Sequence, residues 1–144
     1  MKTTLTTKAH LRGLRVSPRK VRLLIGLIRG LSAKEARLQL QFSSKEAARP
    51  VMKLLDSAIA NARHNHAMDE KTLVVREAIV DGGSILYRWS PRAFGRATPI
   101  RKRTSHVTIT LEGEVDTTKS KVSDARVDAQ TDTTASVGPS KKAV

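Results

Sequence analysis

Two strand-like segments of this chain are separated by a connection much longer than an ordinary turn. The first segment, 73–80, is rich in β-branched residues, and the second, 107–111, alternates apolar and polar side chains like a half-buried strand. The connection, 81–103, has 23 residues with three glycines and two prolines, whereas hairpin loops usually have about 2 to 5 residues. It also holds the only tyrosine and tryptophan, Tyr87 and Trp89, and aromatic residues are depleted in disordered segments. We therefore predict an ordered connection with a function of its own.

The positive charge of the chain is concentrated in its first 112 residues. Residues 1–112 hold 22 basic and 8 acidic side chains, residues 113–144 hold 5 of each, and the formal net charge is +14. Two segments contain no acidic residue, namely the one before Glu35 and the one between Gly82 and Leu111. Scattered cations often form a solvated surface, but these acid-free segments cannot neutralise themselves through local ion pairs. The pattern predicts an anionic partner, with nucleic acid as the first candidate.

Several classes of protein are disfavoured by composition and hydropathy. The chain has no cysteine, which removes disulfide frameworks and thiolate metal sites and fits a reducing cytosolic compartment. No apolar run approaches the roughly 20 residues that span a bilayer, and the N-terminus has no apolar signal core. We therefore expect a protein that is neither exported nor membrane-spanning.

The first predicted helix follows an extended, basic lead-in over 8–16. It starts at Ser17-Pro18, which places a capping hydroxyl before a first-turn proline. Beyond that point an apolar stripe and a cationic stripe follow different faces at helical spacing. The apolar stripe consists of Val21, Leu24, Ile25 and Ile28, and the cationic stripe consists of Arg19, Arg22, Gly26 and Arg29. The missing side chain of Gly26 fits either a close approach to phosphate or tight packing against another helix.

Two further helices are predicted from serine-to-glutamate spacings at 32–35 and 43–46, which both fit capping boxes. The second of these helices should run to about Asn65. Pro50 lies inside its pattern and predicts either a bend or a later start, because proline lacks a backbone donor. Residues 113–144 have no hydrophobic periodicity, so we predict one domain over 1–112, followed by a disordered tail.

Catalysis has little support in the sequence. The segment 63–66, Arg-His-Asn-His, could suggest a nuclease or a metal site together with Asp69. Its two histidines lie two residues apart at a helix end and point in divergent directions, so cations near the last helix carbonyls are the better interpretation. The glycines at 82–83 lack the spacing and lysine of a nucleotide-binding loop, and Ser90 and Ser105 have no identifiable base. We expect no enzymatic activity, no metal and no cofactor.

Three segments occur in an order and spacing that are typical of one family. They are Val-Ser-Pro-Arg-Lys-Val-Arg from 16, Leu-Asp-Ser-Ala-Ile-Ala-Asn-Ala from 55, and Pro-Arg-Ala-Phe-Gly-Arg-Ala from 91, which continues into Arg-Lys-Arg-Thr-Ser-His at 101–106. With these motifs the chain resembles the ribosomal large-subunit protein L-twenty-two family over about residues 5–112. Residues 85–90, just before Pro91, are more aromatic and one residue longer than the usual version, and the tail has no counterpart.

The resemblance implies an α+β fold in which three helices pack on a small antiparallel sheet and 81–103 forms a long protruding β-hairpin arm. It also implies binding to large-subunit ribosomal RNA, a part in its assembly, and an arm that lines the nascent-peptide exit tunnel. The implied partners are that RNA, neighbouring large-subunit proteins and the nascent polypeptide, with no membrane and no homo-oligomer. The implied location is a cytoplasmic ribosome, with an organellar ribosome left open.

The expected site residues follow from the acid-free segments and from the resemblance. The expected RNA contacts are Arg12, Arg15, Arg19, Lys20, Arg22, Arg29, Arg88, Arg92, Arg96, Arg101, Lys102, Arg103, Ser105 and His106. The expected tunnel tip consists of Tyr87, Trp89, Ser90, Pro91, Phe94 and Gly95. The aromatic residues of the arm could stack on unpaired bases or pack on each other across the hairpin. The competing functions are a general nucleic-acid packaging or chaperone protein and a nuclease at His64.

Overall fold

In the part of the chain that the structure describes, one strand is followed by three helices and then by two further strands. The computed structural model describes residues 4–115, and the predicted tail beyond 115 lies outside the described residues. The elements are β1 (Thr4–Leu14), α1 (Pro18–Ile28), α2 (Ala33–Phe42), α3 (Ala48–His66), β2 (Val74–Pro91) and β3 (Ala97–Glu114). The strands form an antiparallel sheet in the order β1-β3-β2. The predicted α+β fold with three helices, a small sheet and a protruding arm is confirmed.

The core lies between the helices and one face of the sheet. The apolar stripe predicted for α1 is confirmed, since all four of its members are buried. From β3, the alternating residues Val107, Ile109 and Leu111 face the same core, and α3 adds Val51 and Leu55. Burying an aliphatic side chain of this size stabilises a fold by about 1.5 to 3 kcal/mol. The apolar residues of β3 that alternate in the sequence therefore face the helices. The strand order places β3 at the centre of the sheet.

The helix starts only partly follow the predicted capping signals. Ser17 occupies the N-cap of α1, but its side chain makes no capping bond. The capping box of α2 is confirmed, because the Glu35 N–H donates to Ser32 Oγ at 3.4 Å and the Ser32 N–H donates to Glu35 Oε2 at 3.3 Å. The capping box predicted at 43–46 is wrong, because Ser43 instead ends α2 as its C-cap.

The third helix starts later than its serine-glutamate spacing predicted. It begins at Ala48 after an Ala47 N-cap without a side-chain bond. This start puts Pro50 in the first turn, where no intrahelical donor is needed, so the later start is the outcome that the proline predicted. The helix ends at His66, one residue beyond the predicted end.

The sheet extends beyond the predicted end of the domain at residue 112. Gly113 pairs with Leu5 and Glu114 pairs with Thr4, and the Asp69 N–H donates to the Glu114 carbonyl oxygen at 3.1 Å. Gly113 is also close to Leu73, because an added Cβ would lie 2.7 Å from Leu73 Cδ2. The predicted tail therefore began too early. Backbone pairing needs no apolar periodicity, which explains why composition missed these residues.

The outer edge of β2 is covered by backbone pairing next to the start of α2. The Gly30 N–H donates to the Val75 carbonyl oxygen at 2.9 Å, and the Val75 N–H donates to the Leu31 carbonyl oxygen at 3.0 Å. The Ala33 N–H donates to the Leu73 carbonyl oxygen at 2.9 Å. Since an uncovered strand edge invites association with other chains, this short pairing closes the beginning of the edge.

Arg22 of α1 and Arg29, which caps the end of α1, continue this coverage along β2. Arg22 donates from Nε and Nη2 to the Val80 carbonyl oxygen at 3.2 and 3.1 Å. Arg29 donates from Nη2 to the Ala78 carbonyl oxygen at 2.6 Å. A partly buried carbonyl without a partner is costly, and a charged donor forms one of the stronger hydrogen bonds available to it. These two side chains therefore tie α1 to the sheet.

We predict that Arg29→Ala lowers the free energy of unfolding by about 1 to 2 kcal/mol, because the Ala78 carbonyl oxygen loses its charged donor. Urea unfolding followed by circular dichroism measures the change. Arg19→Ala is the matched control, since Arg19 is exposed on the same helix and makes no side-chain hydrogen bond within residues 4–115. The control should change stability by less than about 0.5 kcal/mol. Equal losses in the two variants would contradict a role for the carbonyl bond.

Candidate nucleic-acid interface

A cationic groove lies where the hairpin arm leaves the body of the protein. Its volume is about 570 Å³, and it lies between the β1–α1 connection and the arm. Six basic side chains line it, against one acidic side chain, Glu46. The basic residues are Arg15, Lys20, Arg88, Arg101, Lys102 and Arg103. The fold thus brings together the two acid-free segments of the sequence, an arrangement that no local pattern could predict.

The β1–α1 connection is shaped by a bend at the end of the sheet. The pairing of β1 with β3 is irregular between Leu11 and Leu14, where Gly13 has φ +70°, a backbone conformation that favours glycine. The Gly13 N–H donates to His106 Nδ1 at 3.0 Å. This bond links the bend to β3 and directs the following residues, including Arg15, along the groove. His106, predicted to contact RNA, is therefore engaged in supporting the bend.

The floor of the junction is packed tightly around β3. Ser105 is fully buried, and its hydroxyl has no hydrogen-bond partner among the described residues. Thr104 donates from Oγ1 to the Ser84 carbonyl oxygen at 2.7 Å. An added Cβ at Gly83 would lie 2.5 Å from Thr104 Oγ1 and 3.0 Å from His106 Nε2. Ser105 thus offers no exposed surface to RNA, and Gly83 permits the close approach of the two strands.

The cationic stripe predicted on α1 is divided between two tasks. Arg19 and Lys20 are exposed at the helix start, and Lys20 lines the groove. Arg22 and Arg29 instead donate to carbonyl oxygens of β2. Gly26 is exposed, and no described atom lies within 4 Å of an added Cβ, so tight helix packing does not account for it. A helical period predicts which side chains share a face, but it does not identify their neighbours.

The arm is a regular hairpin with almost no shielding from solvent. It pairs continuously from Ile85 with Arg103 to Pro91 with Ala97, and 91–103 are all exposed. At its end the Arg92 N–H donates to the Arg96 carbonyl oxygen at 2.8 Å, closing a turn. Four residues of the predicted tunnel tip lie in this turn or just before it: Ser90, Pro91, Phe94 and Gly95. The connection predicted from the sequence is thus an ordered hairpin, as expected.

Among the described residues, no basic side chain of the groove or arm forms an ion pair with a carboxylate. Within 4–115, the ion pairs of Arg37 with Asp56 at 3.0 Å and of Arg76 with Glu112 at 3.5 Å both lie on the body. In the described part of the chain, the arginine side chains of the arm donate to neutral groups, such as from Arg88 Nη1 to the Tyr87 carbonyl oxygen at 2.7 Å. Closely spaced cations without counter-charges produce a positive local potential that attracts polyanions.

The histidines considered for metal binding stand at the end of α3. His64 and His66 are exposed in its last turn, where cations interact favourably with the helix dipole. Asp69 accepts the Lys71 N–H at 3.1 Å and so stabilises the turn that follows. Among the residues that the structure describes, no three His, Asp or Glu side chains form a group that could hold a metal ion. No helix in this range has the length and apolar character needed to cross a bilayer.

The fold and this surface define a class: a small basic α+β protein whose cations converge at the base of an extended hairpin arm. The family described as ribosomal protein L22p/L17e matches residues 9–112. A protein of Desulfitobacterium hafniense, named large ribosomal subunit protein uL22, is 53% identical over 104 residues, covering 72% of this chain and 91% of that protein.

Proteins with the same name in other bacteria are similarly close. The protein of Crocosphaera subtropica is 49% identical over 114 residues, covering 79% of this chain and 95% of that protein. The protein of Fusobacterium nucleatum is 51% identical over 107 residues, covering 74% and 96%. The chain belongs to the L22p/L17e family of ribosomal proteins. It is a structural protein of the ribosome and not an enzyme, and the resemblance seen in the sequence motifs is confirmed.

We predict that Gly83→Ala disturbs the junction between body and arm and lowers stability by about 1 to 3 kcal/mol, the usual cost of overpacking. Thermal unfolding measures the loss. Gly82→Ala is the matched control, because no described atom lies within 4 Å of a Cβ at Gly82. That variant should unfold within about 2 °C of the wild type. A Gly83→Ala protein as stable as Gly82→Ala would show that the strands can separate without cost.

Proposed function

We propose that this chain binds large-subunit ribosomal RNA through the cationic groove and the arm, and that this binding aids assembly of the subunit. The observation that carries the proposal is the convergence of six basic side chains, none paired with a described carboxylate, at the base of an exposed hairpin. RNA places phosphates along its backbone, and each phosphate neutralised by Lys or Arg releases counterions. Cations that line a groove fit the backbone of a folded RNA better than cations scattered over a surface.

The division of the cations suggests how the protein is oriented on RNA. Arg15 and Lys20 come from the body, whereas Arg88, Lys102 and Arg103 come from the arm. One RNA segment lying in the groove would therefore touch both parts at once and fix the direction of the arm relative to the body. Phosphate contacts of this kind set position and orientation without reading base sequence. Protein-imposed orientation of RNA segments is what an assembly role requires.

The exposure of the arm to solvent supports the proposal that other molecules enclose the arm in the ribosome. Residues 91–103 carry Arg92, Arg96, Arg101, Lys102 and Arg103 and contribute no buried side chain to the core. An isolated two-stranded hairpin is only marginally stable in water, so a binding partner on both faces is needed to hold it. From the family, we propose that the tip lines the exit tunnel, where it meets nascent polypeptide, and that neighbouring ribosomal proteins contact the body.

The binding test is the salt dependence of RNA affinity. Replacing Arg15, Lys20 and Lys102 together by glutamine should reduce the logarithmic slope of affinity against salt by about 2 to 3, because each lost phosphate contact contributes roughly 0.7 to 0.9. Fluorescence anisotropy with a labelled fragment of large-subunit RNA measures the slope. Arg22 and Arg29 are left intact, since their replacement would change the fold as well as the charge.

The control removes the same charge elsewhere on the body. Lys34, Arg63 and Lys71 are exposed and lie outside the groove, so replacing them by glutamine should change the slope by less than about 1. Equal slopes in the two triple variants would contradict the groove as the RNA site. Equal affinity for duplex DNA at matched salt would instead favour a general packaging protein, because folded RNA offers a shape and 2′-hydroxyls that DNA lacks.

A further inference from the structure

The two largest aromatic side chains of the arm stand on one strand face, apart from the cationic groove. Tyr87 lies opposite Arg101 in the hairpin register, and Trp89 lies opposite Pro99. Since side chains two residues apart in a strand point to the same face, the two rings are neighbours along β2. Neither ring lines the groove. The rings therefore do not face each other across the hairpin, and the residues opposite them are Arg101 and Pro99.

The rings are available to a partner. Tyr87 is 53% exposed and Trp89 is 68% exposed, although both are large and apolar enough to favour burial. Pro99 opposite Trp89 gives that side of the hairpin a rigid backbone. Both residues lie in the paired part of the hairpin, so one partner can reach both rings from the same side.

The spacing of the rings matches the thickness of one flat group between them. Two residues along a strand advance by about 6.6 to 6.8 Å. A base stacked between two rings needs two stacking separations, each about the 3.4 Å that separates stacked bases in a nucleic-acid strand, or about 6.8 Å in total. We propose that Tyr87 and Trp89 form a clamp that holds one unpaired RNA base between their rings.

The surrounding charge favours a nucleobase over a peptide side chain as the occupant. Arg101 lies opposite Tyr87 and therefore on the same face of the hairpin, and no acidic residue occurs between Gly82 and Leu111. A base arrives with its phosphate, which the Arg101 guanidinium can bind while the rings stack on the base. The clamp rests on the proposed RNA-binding function and adds a base contact to the phosphate contacts of the groove.

The clamp can be tested with the chain's own fluorescence, because Trp89 is its only tryptophan. The full-length protein is titrated with a single-stranded oligoadenylate and with an abasic strand of equal length and charge. The clamp predicts quenching of Trp89 by the adenine strand and little quenching by the abasic strand. In Tyr87→Leu, affinity for the adenine strand should fall roughly 5- to 100-fold, the range expected for one lost stacking partner.

The matched control is Phe42→Leu, which removes an aromatic ring at the end of α2, 83% exposed and away from the arm. It should alter affinity by less than about 2-fold, since it removes no stacking partner of the clamped base. Salt-dependent binding of both strands without quenching, or a Tyr87→Leu protein that binds like wild type, would overturn the clamp and leave the proposed RNA binding intact. If neither strand binds, both the clamp and the proposed RNA binding are overturned. Unchanged circular dichroism verifies that each variant is folded.

Discussion

A strand at the edge of a sheet has a neighbouring strand on one side only, so the N–H and carbonyl groups that point outward have no strand partner. β2 is such an edge strand, and α1 packs beside it. Backbone groups of 30–33 pair with its beginning, and Arg22 and Arg29 bind the next outward carbonyl oxygens. These bonds attach the helical layer to the same strand that continues into the arm. The position of the arm relative to the body therefore depends on them, and so does the groove between the two.

The same bonds explain why the charge of this protein is divided. Arg22 of α1 and Arg29 at its C-cap donate to backbone carbonyl oxygens within the fold, while Lys20 of α1 lines the groove. A guanidinium suits the first task because its several donors can bind a carbonyl oxygen and leave the positive charge partly exposed. Net charge therefore overstates the number of cations free for an anionic partner. The groove, in which no basic side chain is paired with a described carboxylate, is the better guide to where RNA would bind.

Sequence reasoning succeeded where a single element determines the outcome. The apolar stripe of α1, the capping box at Ser32 and the ordered hairpin at 81–103 depend on local periodicity, capping chemistry and aromatic content. It failed where the partner is distant in sequence. Arg22 donates to the Val80 carbonyl oxygen and His106 accepts from the Gly13 N–H, so each partner is distant in sequence. The serine-to-glutamate spacing at 43–46 forms no capping box, because Ser43 ends α2 and α3 starts only at Ala48. The convergence of the two acid-free segments is likewise a property of the tertiary fold.

We propose that the arm enters folded large-subunit RNA while the body positions it. Because the chain has no cysteine, a Ser90→Cys variant can be labelled at that position alone with an iron chelate that releases hydroxyl radicals inside assembled subunits. Ser44→Cys, in the exposed connection after α2, is the control position. The account predicts that the probe at 90 cleaves a compact set of large-subunit RNA nucleotides distinct from those cleaved from 44. Incorporated protein whose probe at 90 leaves the RNA uncut, or cuts only the nucleotides reached from 44, would contradict it.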